Sequence, residues 1–142
     1  MQHVVDASVV AKWFLPEPHK QQAAQLLTNF LDETVDLTAP DLLVAEVGNL
    51  LWKRSILLGD ISEAEAAESY NIFLAYDIPL CSSLDIATAA LNLAMREHRK
   101  IYDMMYIALA QQNGCEFITA DEKLLNALSN KFSCLRWIGD VK

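Results

Sequence analysis

Two aspartates lie at the ends of the stretch YDMMYIALAQQNGCEFITAD, which runs from Tyr102 to Asp121. Asp103 opens a segment with apolar residues at helical spacing, and Asp121 follows FITA, a short run typical of a buried strand. A third aspartate, Asp6, ends the strand-like start HVVD, and Glu46 lies inside a largely apolar helical segment. Carboxylates that cluster resist burial unless a cation joins them. If these four acids meet, they predict a site for a hard divalent cation, Mg²⁺ or Mn²⁺.

The predicted elements give a reason for the acids to meet. In open α/β sheets, ligands bind beyond the carboxyl ends of the strands. Asp6 and Asp121 each end a predicted strand, and Asp103 opens a helix expected to begin at the same edge. Glu46 shares one helical stripe with Asn49 and Lys53, at spacings of three and seven residues. The sequence therefore predicts an acidic site at the carboxyl edge of the sheet.

The order of elements predicts an α/β fold. Short β-branched runs alternate with helical patterns, which favours a sandwich of helices around a mainly parallel sheet. Helices are expected to begin at Ser8 and, through a capping box with Glu65, at Ser62. One long helix is expected after Asp41, its N-cap, and to end at Gly59. DIPLCS is predicted to be a strand.

Each acid also has a purely structural explanation. Asp6 and Asp121 could be N-caps of the helices that follow them. Asp103 could be favoured by the positive end of its helix dipole, and Glu46 could face solvent. The structural explanation is weaker for the four acids together, because three aspartates are expected at one edge and an acid within an apolar helix needs a reason.

Length and composition limit the class of protein. A chain of 142 residues with 53% hydrophobic residues suggests a single globular domain over residues 1–142. The net charge of −8 argues against a passive nucleic-acid binder, which normally carries a basic face. Three unpatterned cysteines indicate free thiols in a reducing compartment. Neither a signal peptide nor a membrane span is expected, so we predict a cytoplasmic protein without membrane association.

Other carboxylate and nucleotide chemistries lack their motifs. A phosphatase of the haloacid-dehalogenase type needs D-x-D after its first strand, whereas this chain has Asp6-Ala7-Ser8. A response-regulator receiver needs an acidic pair there, and only Asp6 is present. The chain contains neither G-x-x-x-x-G-K-[ST] nor G-x-G-x-x-G, so no local pattern supports a nucleotide-binding loop.

Four stretches together resemble the PIN-domain family, and within it the VapC-type ribonuclease toxins of toxin–antitoxin pairs. They are VVDASVVAKWF, APDLLVAEVGNLLWKR, YDMMYIALAQQNG and FITADEKLL. They follow the order and spacing of the family over nearly the whole chain. The resemblance implies a PIN-like three-layer sandwich with a four- or five-stranded, mainly parallel sheet. It also implies an endoribonuclease that depends on Mg²⁺ or Mn²⁺.

Carried over position by position, the resemblance assigns the site. The catalytic and metal-binding acids would be Asp6, Glu46, Asp103 and Asp121. Residues that commonly support such a site match Ser8, Asn49 and Thr119. One departure is visible: Met104 and Met105 follow Asp103, where the family often has alanine. This change would alter the pocket wall and removes no ligand.

The substrate and partners are predicted from fewer observations. Cations near the acids could contact RNA phosphates or could be solvated helix-end charges; they are Lys53, Arg54, Arg99 and Lys100. Trp13, Trp52 and Tyr106 could stack bases, but their apolar helix faces are typical of core or dimer-interface residues. The resemblance implies a homodimer and an antitoxin protein that covers the site. A processing nuclease without an antitoxin and a catalytically silent PIN-like scaffold remain the alternatives.

Overall fold

A computed structural model describes all residues 1–142 and contains one sheet of five parallel strands. The strands are β1 Gln2–Val5, β2 Asp36–Pro40, β3 Leu80–Cys81, β4 Glu116–Thr119 and β5 Leu135–Trp137, and their order in the sheet is β3-β2-β1-β4-β5. The α/β sandwich predicted from the sequence is thereby confirmed, with five strands rather than four.

Seven helices flank this sheet. They are α1 Ala7–Phe14, α2 Lys20–Leu31, α3 Leu42–Trp52, α4 Glu63–Ala75, α5 Ser83–Glu97, α6 Ile101–Asn113 and α7 Glu122–Leu128. Helices α1, α2, α3 and α4 pack on one another, while α5 packs on α6 and α6 lies against β1, β2 and β4. None of the helices combines the length and the apolar character that a membrane span requires.

The strand order reverses at β1, which pairs with β2 on one side and with β4 on the other. The chain moves outward from β1 to β2 and β3, then returns to β4 and continues to β5. Such a reversal opens a crevice at the carboxyl ends of the two central strands, where α/β proteins bind ligands. Asp6 follows β1 and Ala120-Asp121 follow β4, so both acids lie at this crevice.

The core is continuous across the sheet and explains why the strands are so apolar. It contains 30 buried hydrophobic residues, including Val4, Val5, Phe117 and Ile118 of the two central strands. Strands covered on both faces have no solvent face, so they lack the alternation of polar and apolar residues. The two central strands end just before site acids, β1 before Asp6 and β4 two residues before Asp121.

Several predicted boundaries are wrong. Helix α1 begins at Ala7 rather than Ser8, since Asp6 is its N-cap. Asp41 makes no capping hydrogen bond to α3; it accepts hydrogen bonds instead from the backbone N–H (3.3 Å) and hydroxyl of Ser83. The helix predicted to end at Gly59 is α-helical only to Trp52 and continues as a π-helix over Lys53–Leu57, so the predicted end holds and the predicted uniform α-helix does not. The strand predicted over DIPLCS is reduced to Leu80–Cys81.

Other predicted boundaries are confirmed. Ser62 and Glu65 form the reciprocal capping box at the start of α4. Asp121 caps α7. Helix α6 ends before Gly114, whose φ of 63° lies in the left-handed region that glycine adopts without a steric penalty. Local side-chain chemistry thus locates helix ends well where the cap has no competing long-range partner.

Candidate active site

Asp6 is held at the junction of β1 and α1. Its backbone is extended, and its Oδ1 accepts a hydrogen bond from the backbone N–H of Val9 at 3.3 Å, so the carboxylate caps the helix. Only 8% of the residue is exposed. The capping role proposed as a structural explanation is real, and it also orients the carboxylate at the crevice.

Two hydroxyl groups hold the Asp6 carboxylate from either side. Ser8 Oγ donates to Oδ1 at 2.5 Å, and Thr119 Oγ1 donates to Oδ2 at 2.6 Å. Ser8 Oγ also accepts from the N–H of Ala120 at 2.9 Å, and Thr119 Oγ1 accepts from the N–H of Asp121 at 3.1 Å. These bonds connect the ends of β1 and β4. The structure therefore places Ser8 and Thr119 where they position Asp6.

Glu46 enters the crevice from α3 and is anchored by a buried tyrosine. The hydroxyl of Tyr106 donates to Glu46 Oε1 at 2.5 Å, and its ring stacks on Phe117 with centroids 5.4 Å apart. Tyr106 is a core residue by burial, as its apolar helix face indicated, yet its hydroxyl reaches the site. The apolar pattern around Tyr106 did not predict this bond; the available signal was that Tyr106 lies three residues after Asp103 on the same helical face.

Asp103 and Asp121 complete the group. Asp103 lies in the first turn of α6, where its Oδ2 is 3.6 Å from Arg99 Nη2. Asp121 caps α7 by accepting from the N–H of Leu124 at 3.1 Å. Every one of the four acids thus has a protein partner that restrains it, and Asp6 and Asp121 are each held by a backbone N–H of the helix that they cap.

One pocket collects all four acids. It has a volume of about 110 Å³ and is lined by Asp6, Ala7, Ser8, Glu46, Asp103, Tyr106 and Asp121. The acids come from sequence positions as far apart as 6 and 121, and only folding brings them together. Thr119 lies directly beneath this lining through its hydrogen bond to Asp6.

The electrostatics of the pocket disfavour four charged acids. Burial is the main cause that raises the pKa of Asp6 to about 6, despite the opposing hydrogen bonds from Ser8 and Thr119. Burial also raises the pKa of Glu46 and of Asp103, and the charge of a neighbouring aspartate adds to each shift. Arg99 opposes the shift at Asp103. A cation placed among these carboxylates would offset the repulsion and the desolvation.

The donor set suits a hard divalent cation, although it is not a finished coordination sphere. Carboxylate and hydroxyl oxygens are the ligands that Mg²⁺ and Mn²⁺ prefer. No three Asp, Glu, His or Cys side chains are close enough to form a ready-made metal cluster. A small cation that keeps several waters would fit such a set, with some carboxylates contacting it through water.

The predicted substrate cations differ in their surroundings. Arg54 is occupied by ion pairs to Glu17 at 2.8 Å and to Asp60 at 2.5 Å. Arg99 lies at the acidic pocket through its contact with Asp103. Lys53 and Lys100 are exposed.

Asn49 does not line the acidic pocket with the four acids. It lies in an adjoining cleft that shares Glu46 and Ala7 with this pocket. The spacing of three residues that put Asn49 and Glu46 on one stripe was therefore correct. Both side chains line this cleft, and only Glu46 also lines the acidic pocket.

Comparison with known proteins gives the class. The family model described as PIN domain matches residues 3–128. This match covers most of the chain and includes all four acids, Ser8, Asn49 and Thr119. The chain therefore belongs to the PIN domain family, which confirms the resemblance read from the four sequence stretches.

Individual relatives agree with this assignment. Ribonuclease VapC3 of Pyrobaculum aerophilum is 32% identical over 127 residues, which cover 87% of this chain and 92% of the relative. The crystal structure of PAE2754, also from Pyrobaculum aerophilum, has a TM-score of 0.66 and 22% identity, covering 98% of this chain and 93% of that one. Mycobacterium tuberculosis VapC20, described as a toxin that cleaves the sarcin-ricin loop, has a TM-score of 0.64 and 15% identity, with coverage of 92% and 95%. The two structures show that the fold is shared.

Proposed function

We propose that the protein is an endoribonuclease of the VapC type that depends on Mg²⁺ or Mn²⁺ and acts as the toxin of a toxin–antitoxin pair. The observation that carries the proposal is the convergence of Asp6, Glu46, Asp103 and Asp121 in one pocket of a PIN domain. The relative named Ribonuclease VapC3 supports RNA as the substrate.

The four acids and the hydroxyl groups beside them have different proposed roles. Asp6 and Asp103 would be the principal ligands of the ion, with Glu46 and Asp121 as further ligands. A bound ion would lower the pKa of a water and stabilise negative charge on the phosphate during hydrolysis of the phosphodiester. Ser8 and Thr119 hold Asp6 in place, and the Tyr106 hydroxyl does the same for Glu46.

Basic side chains near the acidic pocket would contact the phosphates of the RNA backbone. Arg99 lies beside Asp103 and is the best placed to contact a phosphate that approaches the acids. Lys53 and Lys100 are exposed and free to contribute more distant contacts, whereas Arg54 is held by Glu17 and Asp60. These contacts are expected to weaken as salt concentration rises.

The partners follow from the same assignment. We propose an antitoxin protein that covers the pocket and brings a cation to the acids, since the unbalanced negative charge would attract one.

We also propose a homodimer, because α5 exposes an apolar stripe of Leu84, Leu91 and Met95. A solution mass of twice the 15.9 kDa chain would support the dimer. The site of action would be the cytoplasm, where RNA is available.

The test is cleavage of a mixed pool of structured RNA by the purified protein. We expect cutting with Mn²⁺, none with EDTA, and none by Asp103→Asn in either condition. An unchanged melting temperature in the variant would show that the loss is chemical rather than structural. Cleavage by Asp103→Asn at the wild-type rate would refute the site assignment.

One observation favours a second candidate, a PIN-like protein that binds without cutting. The acids do not form a ready-made cluster of three metal ligands. Isothermal titration with Mn²⁺ separates the two candidates. Binding of the ion that is lost in Asp103→Asn supports the nuclease, and an absence of binding supports the silent protein.

A further inference from the structure

A larger cleft adjoins the acidic pocket and differs from it in chemistry. Its volume is about 410 Å³, compared with about 110 Å³ for the acidic pocket. It is lined by Ala7, Leu42, Ala45, Glu46, Asn49, Leu50 and Tyr102, five of which are hydrophobic. Ala7 and Glu46 line both cavities, so the cleft opens next to the proposed point of phosphodiester cleavage.

The walls of the cleft combine one aromatic ring, one amide and an aliphatic surface. Most of the lining lies on one stripe of α3, and Tyr102 faces it from the start of α6. Tyr102 is 54% exposed despite its large ring, and Asn49 is exposed as well. Tyr102 and Asp103 are consecutive residues of a helix, so their side chains point about 100° apart around its axis. Tyr102 therefore lines the cleft and Asp103 lines the acidic pocket.

The charge of the protein limits how it can hold RNA. The chain carries a net charge of −8, and the Arg54 guanidinium is already paired with two carboxylates. Binding through phosphate contacts alone needs many free cations. A protein of this charge must therefore obtain much of its affinity from uncharged parts of the RNA. The bases are those parts, and they stack on aromatic rings whatever their identity.

We propose that this cleft binds the base of a nucleotide beside the scissile phosphate of a single-stranded RNA segment. The base stacks on the ring of Tyr102, and the Asn49 amide hydrogen-bonds to its edge. The proposal rests on the proposed ribonuclease function and names the part of the substrate that the same site recognises. Single-stranded RNA is the form whose bases are free to enter a cleft in this way.

The composition of the cleft favours a base over an apolar side chain of a protein. A base presents hydrogen-bond donors and acceptors on the rim of an apolar face, which matches an amide set beside aliphatic and aromatic walls. An apolar side chain would cover Asn49 without pairing its amide, and an unpaired buried polar group costs free energy. The volume is also within the range of about 300–1,000 Å³ that is common for small-molecule sites.

The first experiment measures base-dependent binding and does not require cleavage. Asp121→Asn removes one charge from the acidic pocket, which should slow cleavage, and leaves the lining of the cleft intact. It therefore serves as the background protein for the binding measurements. With Mg²⁺ at physiological ionic strength, short single-stranded RNA of mixed sequence should bind roughly 10- to 100-fold more tightly than an abasic backbone of the same length. Adding Tyr102→Ala should remove this preference, and Tyr102→Phe in its place should restore it because the ring is retained.

The second experiment sequences the ends of RNA fragments that the active protein produces. Asn49→Ala should flatten the base preference next to the cuts that it makes, a readout that does not depend on its overall rate of cutting. Asn92→Ala is the matched control, because Asn92 is an exposed helical asparagine on α5 outside the cleft. It should leave the preference as in the wild-type protein.

The outcomes separate this inference from the proposed function. Equal binding of RNA and abasic backbone, or full base-dependent binding by Tyr102→Ala, would overturn the base site even if the protein cuts RNA. An unchanged base preference in Asn49→Ala would overturn the proposed hydrogen bond between the Asn49 amide and the edge of the base. If the wild-type protein fails to cut but binds bases through Tyr102, the nuclease proposal fails and the base site stands.

Discussion

The two edges of the sheet differ in whether their acidic side chains are paired with cations. At the amino edge, Glu116 accepts hydrogen bonds from Arg136 Nη1 at 3.0 and 3.2 Å, and His3 lies 3.9 Å from the same carboxylate. At the carboxyl edge, four acids line one pocket and have a single cation within 4 Å, Arg99 beside Asp103. The chain balances its own charge at one edge and leaves the other negative.

This difference shows which carboxylates are neutralised by cations of the same chain. Glu116 and Arg136 are complementary neighbours on adjacent parallel strands, so their pairing needs nothing from outside. At the other edge Asp6 is buried and the remaining acids are half-buried, and the loss of hydration raises the pKa of Asp6, Glu46 and Asp103. An excess of charge that the fold does not neutralise, in a concave site, indicates a partner that the protein has yet to bind.

The largest expected effect compares one glutamate from each edge. Glu46→Gln should lower RNA cleavage by at least about 100-fold, because it removes a charge from the acidic pocket while preserving the shape that Tyr106 holds. Glu116→Gln makes the same chemical change at the amino edge and should leave cleavage near wild type. Initial rates at saturating Mn²⁺ measure both variants. Equal losses in the two variants would remove the distinction between the edges.

The next effect concerns stability without metal. The pKa of Asp6 is about 6 in the folded protein against 3.8 in the absence of burial, so between these values the folded state holds more protons. Its contribution to stability is therefore present below about pH 4 and is lost as pH rises through about 6. The stability of Asp6→Asn relative to wild type should therefore rise between about pH 4 and neutral pH, by up to roughly 3 kcal/mol. Urea unfolding in EDTA at several pH values measures this difference, and a difference independent of pH would contradict it.

Metal should stabilise the fold through the carboxyl edge alone. At an ion concentration of about 100 times the Kd, linkage predicts about 2.7 kcal/mol of added stability. Thermal unfolding with Mg²⁺ or Mn²⁺ should show this gain in wild type and in Glu116→Gln. The gain should disappear in Asp103→Asn. A wild-type melting temperature that stays flat across millimolar ion would count against a metal site at these acids.

The smallest effect is expected at the amino edge. Arg136→Met removes the ion pair with Glu116, in which both side chains are 39% exposed. Exposed ion pairs of this kind contribute about 0.2–1 kcal/mol and are screened by salt. Unfolding at low and high salt should show a small loss that shrinks as salt is added, with cleavage unchanged. A loss of cleavage would show that the amino edge takes part in function.

The sequence predicted the fold class and the site acids for physical reasons that are local. Buried parallel strands require β-branched runs that end at the first polar residue, and this rule located Asp6 and Asp121 at strand ends. Helix caps were also predicted well where the capping side chain has only local partners, as at Ser62. The prediction failed at Asp41, where Ser83, distant in sequence, competes for the same carboxylate.

The contacts across the site could not be predicted in this way. Tyr106 carried the sequence pattern of a core residue, and burial agrees with that pattern, but no local rule shows that its hydroxyl meets Glu46. Asn49 and Glu46 share a stripe on α3 and both line the larger cleft, yet only Glu46 also lines the acidic pocket. Such contacts depend on how α3 and α6 are placed, which sequence spacing does not describe.

By itself, the sequence determined the order of elements, the family and the residue types at the strand ends, since these depend on periodicity and on side-chain chemistry near each position. Only the tertiary structure decided that four acids share one pocket, that hydroxyl groups from β4 and α1 hold Asp6, and that an apolar cleft opens beside it. The physical reason is distance along the chain. Asp6 and Thr119 are 113 residues apart, and their hydrogen bond exists because β1 and β4 pair at the centre of the sheet.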